Sequence, residues 1–247
     1  MTEKFSYRRS YSSSPYIRHE RKKFRLNISV TLLLIILNVI VFLVQVIVDS
    51  LTQTPDSLGF FTRTLGLMPQ DIIQGKNLWA IFTNMFLHGG VFHLAANMMS
   101  LVFVGSFLEK LIGKKKFIFI YLISGIIASL FFVFLALGFG SSDLGARIFG
   151  NPDALAVGAS GAIFGLAAVL MILVPKTKVY IMFIPIAMPL WLGMLIMLFG
   201  LWIISAAAGL SIGNSAHFGG FISGLVYGIY LRKKYNKKVQ VLDRVFR

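Results

Sequence analysis

The sequence predicts an all-α polytopic membrane protein: six transmembrane helices, a long interfacial first loop and a basic tail at each end. Three observations predict it. Of 247 residues, 57% are hydrophobic and the mean hydropathy is +0.80, which leaves too little polar surface to cover a soluble domain. The apolar residues fall into six runs, near residues 26–48, 91–110, 117–139, 157–174, 189–211 and 215–231, without the strict alternation of barrel strands. The formal charge of +15 is concentrated in short clusters at the ends of these runs, as membrane topology demands, so nucleic acid is not the expected partner.

Taken in order, residues 1–25 form a basic tail. The first run is too long for a signal-peptide core and no small-residue cleavage site follows it, so a retained anchor is expected. The segment from Asp49 to Gly90 mixes Pro55, Asp56, Pro69 and Asp71 with apolar patches around Trp79, which suits a loop lying partly in the membrane interface. The fifth run is entered past Pro185 and Pro189, and residues 232–247 form the second basic tail.

Six crossings place 21 of the 24 Lys and Arg residues on the side that holds both termini, leaving Arg63, Lys76 and Arg147 opposite. By the positive-inside rule both termini are cytoplasmic. The 26–231 core is then a single membrane domain. The Arg- and Ser-rich tail, with Ser10 to Ser14 and Arg18 to Arg25, also fits a mitochondrial transit sequence; the six-span layout without an extra leading span makes a bacterial plasma membrane the expected location. The absence of Cys excludes disulfides and thiol chemistry.

Two runs open with unusual polar content. The fourth begins Gly158-Ala159-Ser160-Gly161-Ala162-Ile163-Phe164-Gly165 and the sixth Ala216-His217-Phe218-Gly219-Gly220. Each has a bland explanation: small residues let helices approach closely, and a histidine facing a bundle is often inert. Depth joins them. Ser160 stands 16 residues from Lys176 and His217 stands 15 from Arg232, so both lie about 22–24 Å from the cytoplasmic boundary.

His217, Gly220, Gly224 and Gly228 share one helix face, so a bare groove runs beneath the imidazole. A fourth span seated there through Gly161 and Gly165 would bring Ser160 to His217 as nucleophile and base. His93 and Asn97, at i and i+4 on the second run, lie at similar depth and are candidate oxyanion donors. Glu109 is the only acidic residue inside the runs. A Ser-His dyad is therefore expected rather than a triad, with Phe164 as a packing face for the imidazole. The same shortage of carboxylates, and the lack of His-Glu-x-x-His, argue against aspartyl and zinc-dependent proteolysis.

Gly158-Ala159-Ser160-Gly161, Ala216-His217-x-x-Gly220-x-x-x-Gly224 and His88-x4-His93-x3-Asn97 together resemble the rhomboid intramembrane serine proteases, from about Trp79 to Tyr230. The resemblance implies Ser160 and His217 as catalytic dyad, His93 and Asn97 beside the oxyanion, and Gly158, Gly161, Gly220, Gly224 and Phe164 in support. It implies membrane-spanning protein substrates cut near their outer ends, the fifth span as a lateral gate, a structural role for Glu109, and no cofactor or metal. Ala80 departs from the Trp-Arg pair of many members, and Phe164 stands where some carry Tyr. A non-catalytic relative that escorts membrane helices is the alternative; a small transporter is disfavoured by the missing carboxylates.

Overall fold

The computed structural model describes residues 28–52, 58–181, 184–209 and 213–246. The N-terminal basic tail, the first two residues of the first expected run, Pro55 and Asp56, and residues 210–211 of the fifth run lie outside the described residues.

Helix α1 (Val30–Leu51) starts where Ser29 caps it and where Glu109 meets it. The Glu109 carboxylate accepts from Val30 N at 2.9 Å, Thr31 N and Thr31 Oγ1 at 2.8 Å, and Ser29 Oγ at 2.7 Å. A lone carboxylate at the end of an apolar run thus satisfies N–H groups that the first turn of a neighbouring helix leaves without acceptors, the structural role expected of it.

The long first loop is ordered into three short helices, α2 (Phe60–Leu65), α3 (Pro69–Ile73) and α4 (Ala80–Thr83), followed by a 3-10 turn, Asn84–Phe86. Trp79 Nε1 donates to Thr64 O at 2.9 Å and Arg63 pairs with Asp71 at 2.6 Å. Ala80 is fully buried in a cluster with Leu67, Phe132, Val133 and Ala136. That packing leaves no room for an arginine, and the Arg63–Asp71 pair supplies an ionic contact within this loop.

Next come α5 (Val91–Ser100), a π-helical turn (Leu101–Gly105) and α6 (Ser106–Ile112), which make one continuous rod, then α7 (Lys114–Phe139) and the short α8 (Asp143–Phe149). The fourth expected span is α9 (Ser160–Leu173). Two strands, β1 (Lys178–Ile181) and β2 (Ile184–Pro189), form an antiparallel hairpin that leads into α10 (Leu190–Ala208). Helix α11 (Asn214–Lys234) is the sixth expected span, and α12 (Asn236–Val245) follows it. The hairpin corrects the all-α expectation, since the prolines and shortness of this segment mark it as a loop in sequence. The C-terminal segment expected as a tail is helical to Val245.

Among the described residues, four helical stretches are long and apolar enough to cross a membrane: Val30–Leu51, Val91–Ile112, Lys114–Phe139 and Leu190–Ala208. The other two expected spans are different in kind. Helix α9 has 14 residues, about 21 Å of rise, and α11 carries several polar residues along its length. Both lie at the centre of the bundle, packed on each other and on α7. A helix enclosed by protein need not match the bilayer, because its ends are satisfied by neighbouring backbone and side chains rather than by lipid.

Candidate active site

The site is built on the seam between α9 and α11. A Cβ added at Gly220 would lie 2.0 Å from Gly161 O, and one at Gly224 would lie 2.0 Å from Gly165 O. The two backbones therefore touch where both helices are bare, as the helical register of these glycines requires. Gly228 continues the seam against Val169 and Ile172.

Ser160 is the first residue of α9, and His217 lies in the first turn of α11, 57 residues away. His217 Nε2 stands 2.8 Å from Ser160 Oγ. The imidazole is buried and stacks on Phe164, with ring centroids 4.6 Å apart and planes at 21°. Phe164 lies one helical turn beyond Ser160, so the helix that presents the hydroxyl also presents the face that orients its partner.

Gly158 brings His93 to the same place. It adopts φ +131°, and a Cβ there would lie 2.8 Å from His93 Nε2 and 3.7 Å from Ser160 Oγ. Both side chains border Gly158, a position that favours glycine because of its positive φ and because a Cβ would collide with the His93 ring. Gly158 N donates to Asn84 O at 3.0 Å, while the Asn84 amide donates to Ser129 Oγ on α7 at 2.8 Å, which ties the segment entering α9 to the first loop and α7.

Asn97 is buried one turn below His93 and donates to His93 O at 2.9 Å, a bond within its own helix. The structure thus brings His217 and His93 to Ser160, and places Asn97 beneath His93. Because Ser160, Gly161 and Ala162 open α9, their N–H groups have no intrahelical acceptors. A helix N-terminus at the nucleophile offers donors and a favourable dipole to a developing oxyanion.

Sequence reasoning missed Gln45 and, while it counted His88 in the motif with His93 and Asn97, assigned it no role. Gln45 on α1 bonds the backbone of His88, and His88 itself is buried edge-on against His93, centroids 5.3 Å apart. Gln45 gave no signal because a single amide in an apolar run is indistinguishable from a packing residue.

A Ser-His pair at a helix N-terminus, its imidazole buried, in an apolar bundle with several membrane-length helices, defines a polytopic membrane protein with a potential nucleophilic centre. A family model described as the Rhomboid domain matches residues 75–234, and the chain belongs to the rhomboid family. It is 34% identical over 182 residues to RHOMBOID-like protein 5 of Arabidopsis thaliana, covering 70% of this chain and 51% of that one. It is 28% identical over 200 residues to Rhomboid protein 1, mitochondrial, of Saccharomyces cerevisiae, covering 80% and 54%. It is 37% identical over 111 residues to Inactive RHOMBOID-like protein 8 of Arabidopsis thaliana, covering 43% and 31%. The chain spans about a third to a half of the length of these relatives. The expected bacterial plasma membrane draws no support from these three; what holds is an integral, multi-pass membrane protein.

Proposed function

We propose that this protein is an intramembrane serine endopeptidase that cleaves transmembrane-segment substrates near the outer membrane face through Ser160 and His217. The observation that carries the proposal is the 2.8 Å approach of His217 Nε2 to Ser160 Oγ, within the range of a nucleophile and its base.

His217 Nε2 takes the hydroxyl proton as Ser160 Oγ attacks the substrate carbonyl. The oxyanion is held by His93, Asn97 and the Ser160 backbone N–H. The imidazolium then returns its proton to the leaving amine. Water, giving its proton to His217, attacks the acyl-enzyme, and collapse of the second tetrahedral intermediate regenerates Ser160. A substrate helix must unwind locally first, since its carbonyls are engaged in i to i−4 bonds.

In this reading all six principal helices cross the bilayer, residues 26–231 form one membrane domain, and both termini face the cytoplasm. The weight of Lys and Arg on that side supports this orientation. Substrate would enter beside α10, whose outer surface carries exposed Trp191, Phe199, Ile203 and Ile204.

The test is reconstitution of the full chain with a tagged single-pass substrate. Wild type should cleave it, while Ser160→Ala and His217→Ala should not; equal turnover by all three removes the protease reading. The similarity to a relative named inactive motivates the second reading, a protein that binds membrane helices without cutting them. Substrate co-purification with wild type and Ser160→Ala alike, without product from either, would favour it.

A further inference from the structure

Gln45 is 7% exposed, on α1, a long helix that contributes neither residue of the dyad. Its side chain is used almost completely. Oε1 accepts from His88 N at 3.1 Å, and Nε2 donates to His88 O at 3.0 Å and to Thr62 Oγ1 at 2.9 Å. Thr62 Oγ1 donates in turn to the Asp49 carboxylate, which also accepts from Phe61 N at 2.8 Å and Thr62 N at 3.2 Å. This chain fixes the direction of every bond. Thr62, having given its proton to Asp49, accepts from the amide, and a flipped amide would set NH₂ against the His88 N–H.

Both backbone polar groups of His88 are therefore clamped to α1. The imidazole of His88 is 1% exposed and its nitrogens have no partner among the described residues, so the backbone is what this residue has fixed. The next residue, Gly89, donates its N–H to His93 Nδ1 at 3.2 Å. His93 is the third residue of α5 and reaches back to the chain just before that helix, a bond of the capping-box kind.

The consequence is chemical. A neutral imidazole whose Nδ1 accepts a hydrogen bond carries its proton on Nε2, and the Nε2–Cε1 edge of the His93 ring borders Gly158, where an added Cβ would also lie 3.7 Å from Ser160 Oγ. The other tautomer would aim a lone pair at a developing negative charge.

We propose that Gln45 is a positioning residue. By gripping His88 it holds the Gly89 N–H against His93 Nδ1 and so keeps an Nε2 proton directed at the oxyanion. Asp49 and Thr62 act behind Gln45, so α1 and the first loop set the hydrogen-bonding state of a group 31 to 48 residues away in sequence. The inference rests on the proteolytic reading for its kinetic consequence and on the structure alone for the tautomer.

The test uses the full chain, ¹⁵N-histidine-labelled and reconstituted in phosphatidylcholine nanodiscs. Four histidines make the spectrum tractable, and His93→Gln assigns the relevant resonance. Wild-type His93 should appear as the neutral Nε2–H form. Gln45→Met, close in shape and without hydrogen bonds, should introduce the Nδ1–H form and lower kcat about 10- to 100-fold, with KM within about twofold. That loss is smaller than removing an oxyanion donor outright. Gln45→Glu, which keeps the acceptor for His88 N, should fall between the two.

An Nδ1–H tautomer in the wild type overturns the proposal even if Gln45→Met does not fold. So does Gln45→Met with a lowered melting temperature and an unchanged His93 tautomer and kcat, the mark of a merely structural residue. Failure of wild type to cleave any substrate would count against the protease reading and would leave the tautomer measurement standing.

Discussion

The seam between α9 and α11 and the attachment of α10 are opposite solutions to packing in a membrane. Along the seam, glycines let one backbone carbonyl touch the next helix, and nearly every residue of α9 is buried. Helix α10 is longer and equally apolar, yet buries only Leu190, Gly193, Met194, Leu198 and Ser205. Lipid is as apolar as leucine, so hydrophobicity cannot hold α10 to the bundle. Its ties are specific: Trp202 Nε1 donates to Ile148 O at 2.7 Å, and Asn214 Nδ2 donates to Ser205 Oγ. The difference teaches that the Ser160–His217 pair is mounted on a closely packed seam, beside a helix held by a few specific ties.

The largest expected effect breaks the seam's chemistry. Ser160→Ala or His217→Ala should reduce turnover by about 10⁴-fold or more, read by product formation from a reconstituted substrate, with little change in melting temperature. Next comes the seam itself. Gly224→Ala or Gly220→Ala sets a Cβ about 2.0 Å from a facing carbonyl. Either should cost about 1–3 kcal/mol and lower the thermal midpoint, with activity falling because Ser160 and His217 move apart.

On α10 the comparison predicts a milder and different outcome. Trp202→Phe removes one donor to Ile148 O and should cost about 1 kcal/mol. Amide exchange should accelerate in α10 while protection in α9 and α11 holds. Equal loosening of all three helices would erase the contrast.

The smallest effect lies in the first loop, outside both regions. The hydrogen bond from Arg63 holds the Asp71 carboxyl below its usual range. A lowered pKa contributes stability above the ordinary carboxylate value and loses it as pH falls through the folded value. Protection of residues 60–73 should therefore weaken on acidification. Asp71→Asn should remove that pH dependence at a cost of about 1 kcal/mol or less, since Arg63 is partly exposed.

Much of this was legible in advance, for identifiable reasons. Helical period alone puts Gly220, Gly224 and Gly228 beneath His217, and Phe164 beside Ser160. The acidic inventory marks Glu109 as unusual, although not that it caps α1. The β1–β2 hairpin was not legible, because a short segment holding Pro185 and Pro189 carries the signals of a loop. Nor was Gln45, whose partners are backbone groups: a peptide N–H and C=O look alike at every position of a sequence.

The sequence by itself determined the solvent, the helices, their small-residue faces and the supply of one serine, two histidines and an asparagine in apolar surroundings. These follow from composition and period, which are local properties. Tertiary structure decided that Ser160 Oγ and His217 Nε2 meet at 2.8 Å, that the His93 ring lies against Gly158 beside Ser160, and that α1 holds the backbone of His88 next to His93. Each depends on a separation of a few ångströms between segments far apart in the chain. Hydrogen bonds exist only within that tolerance, and only the packed backbones set it.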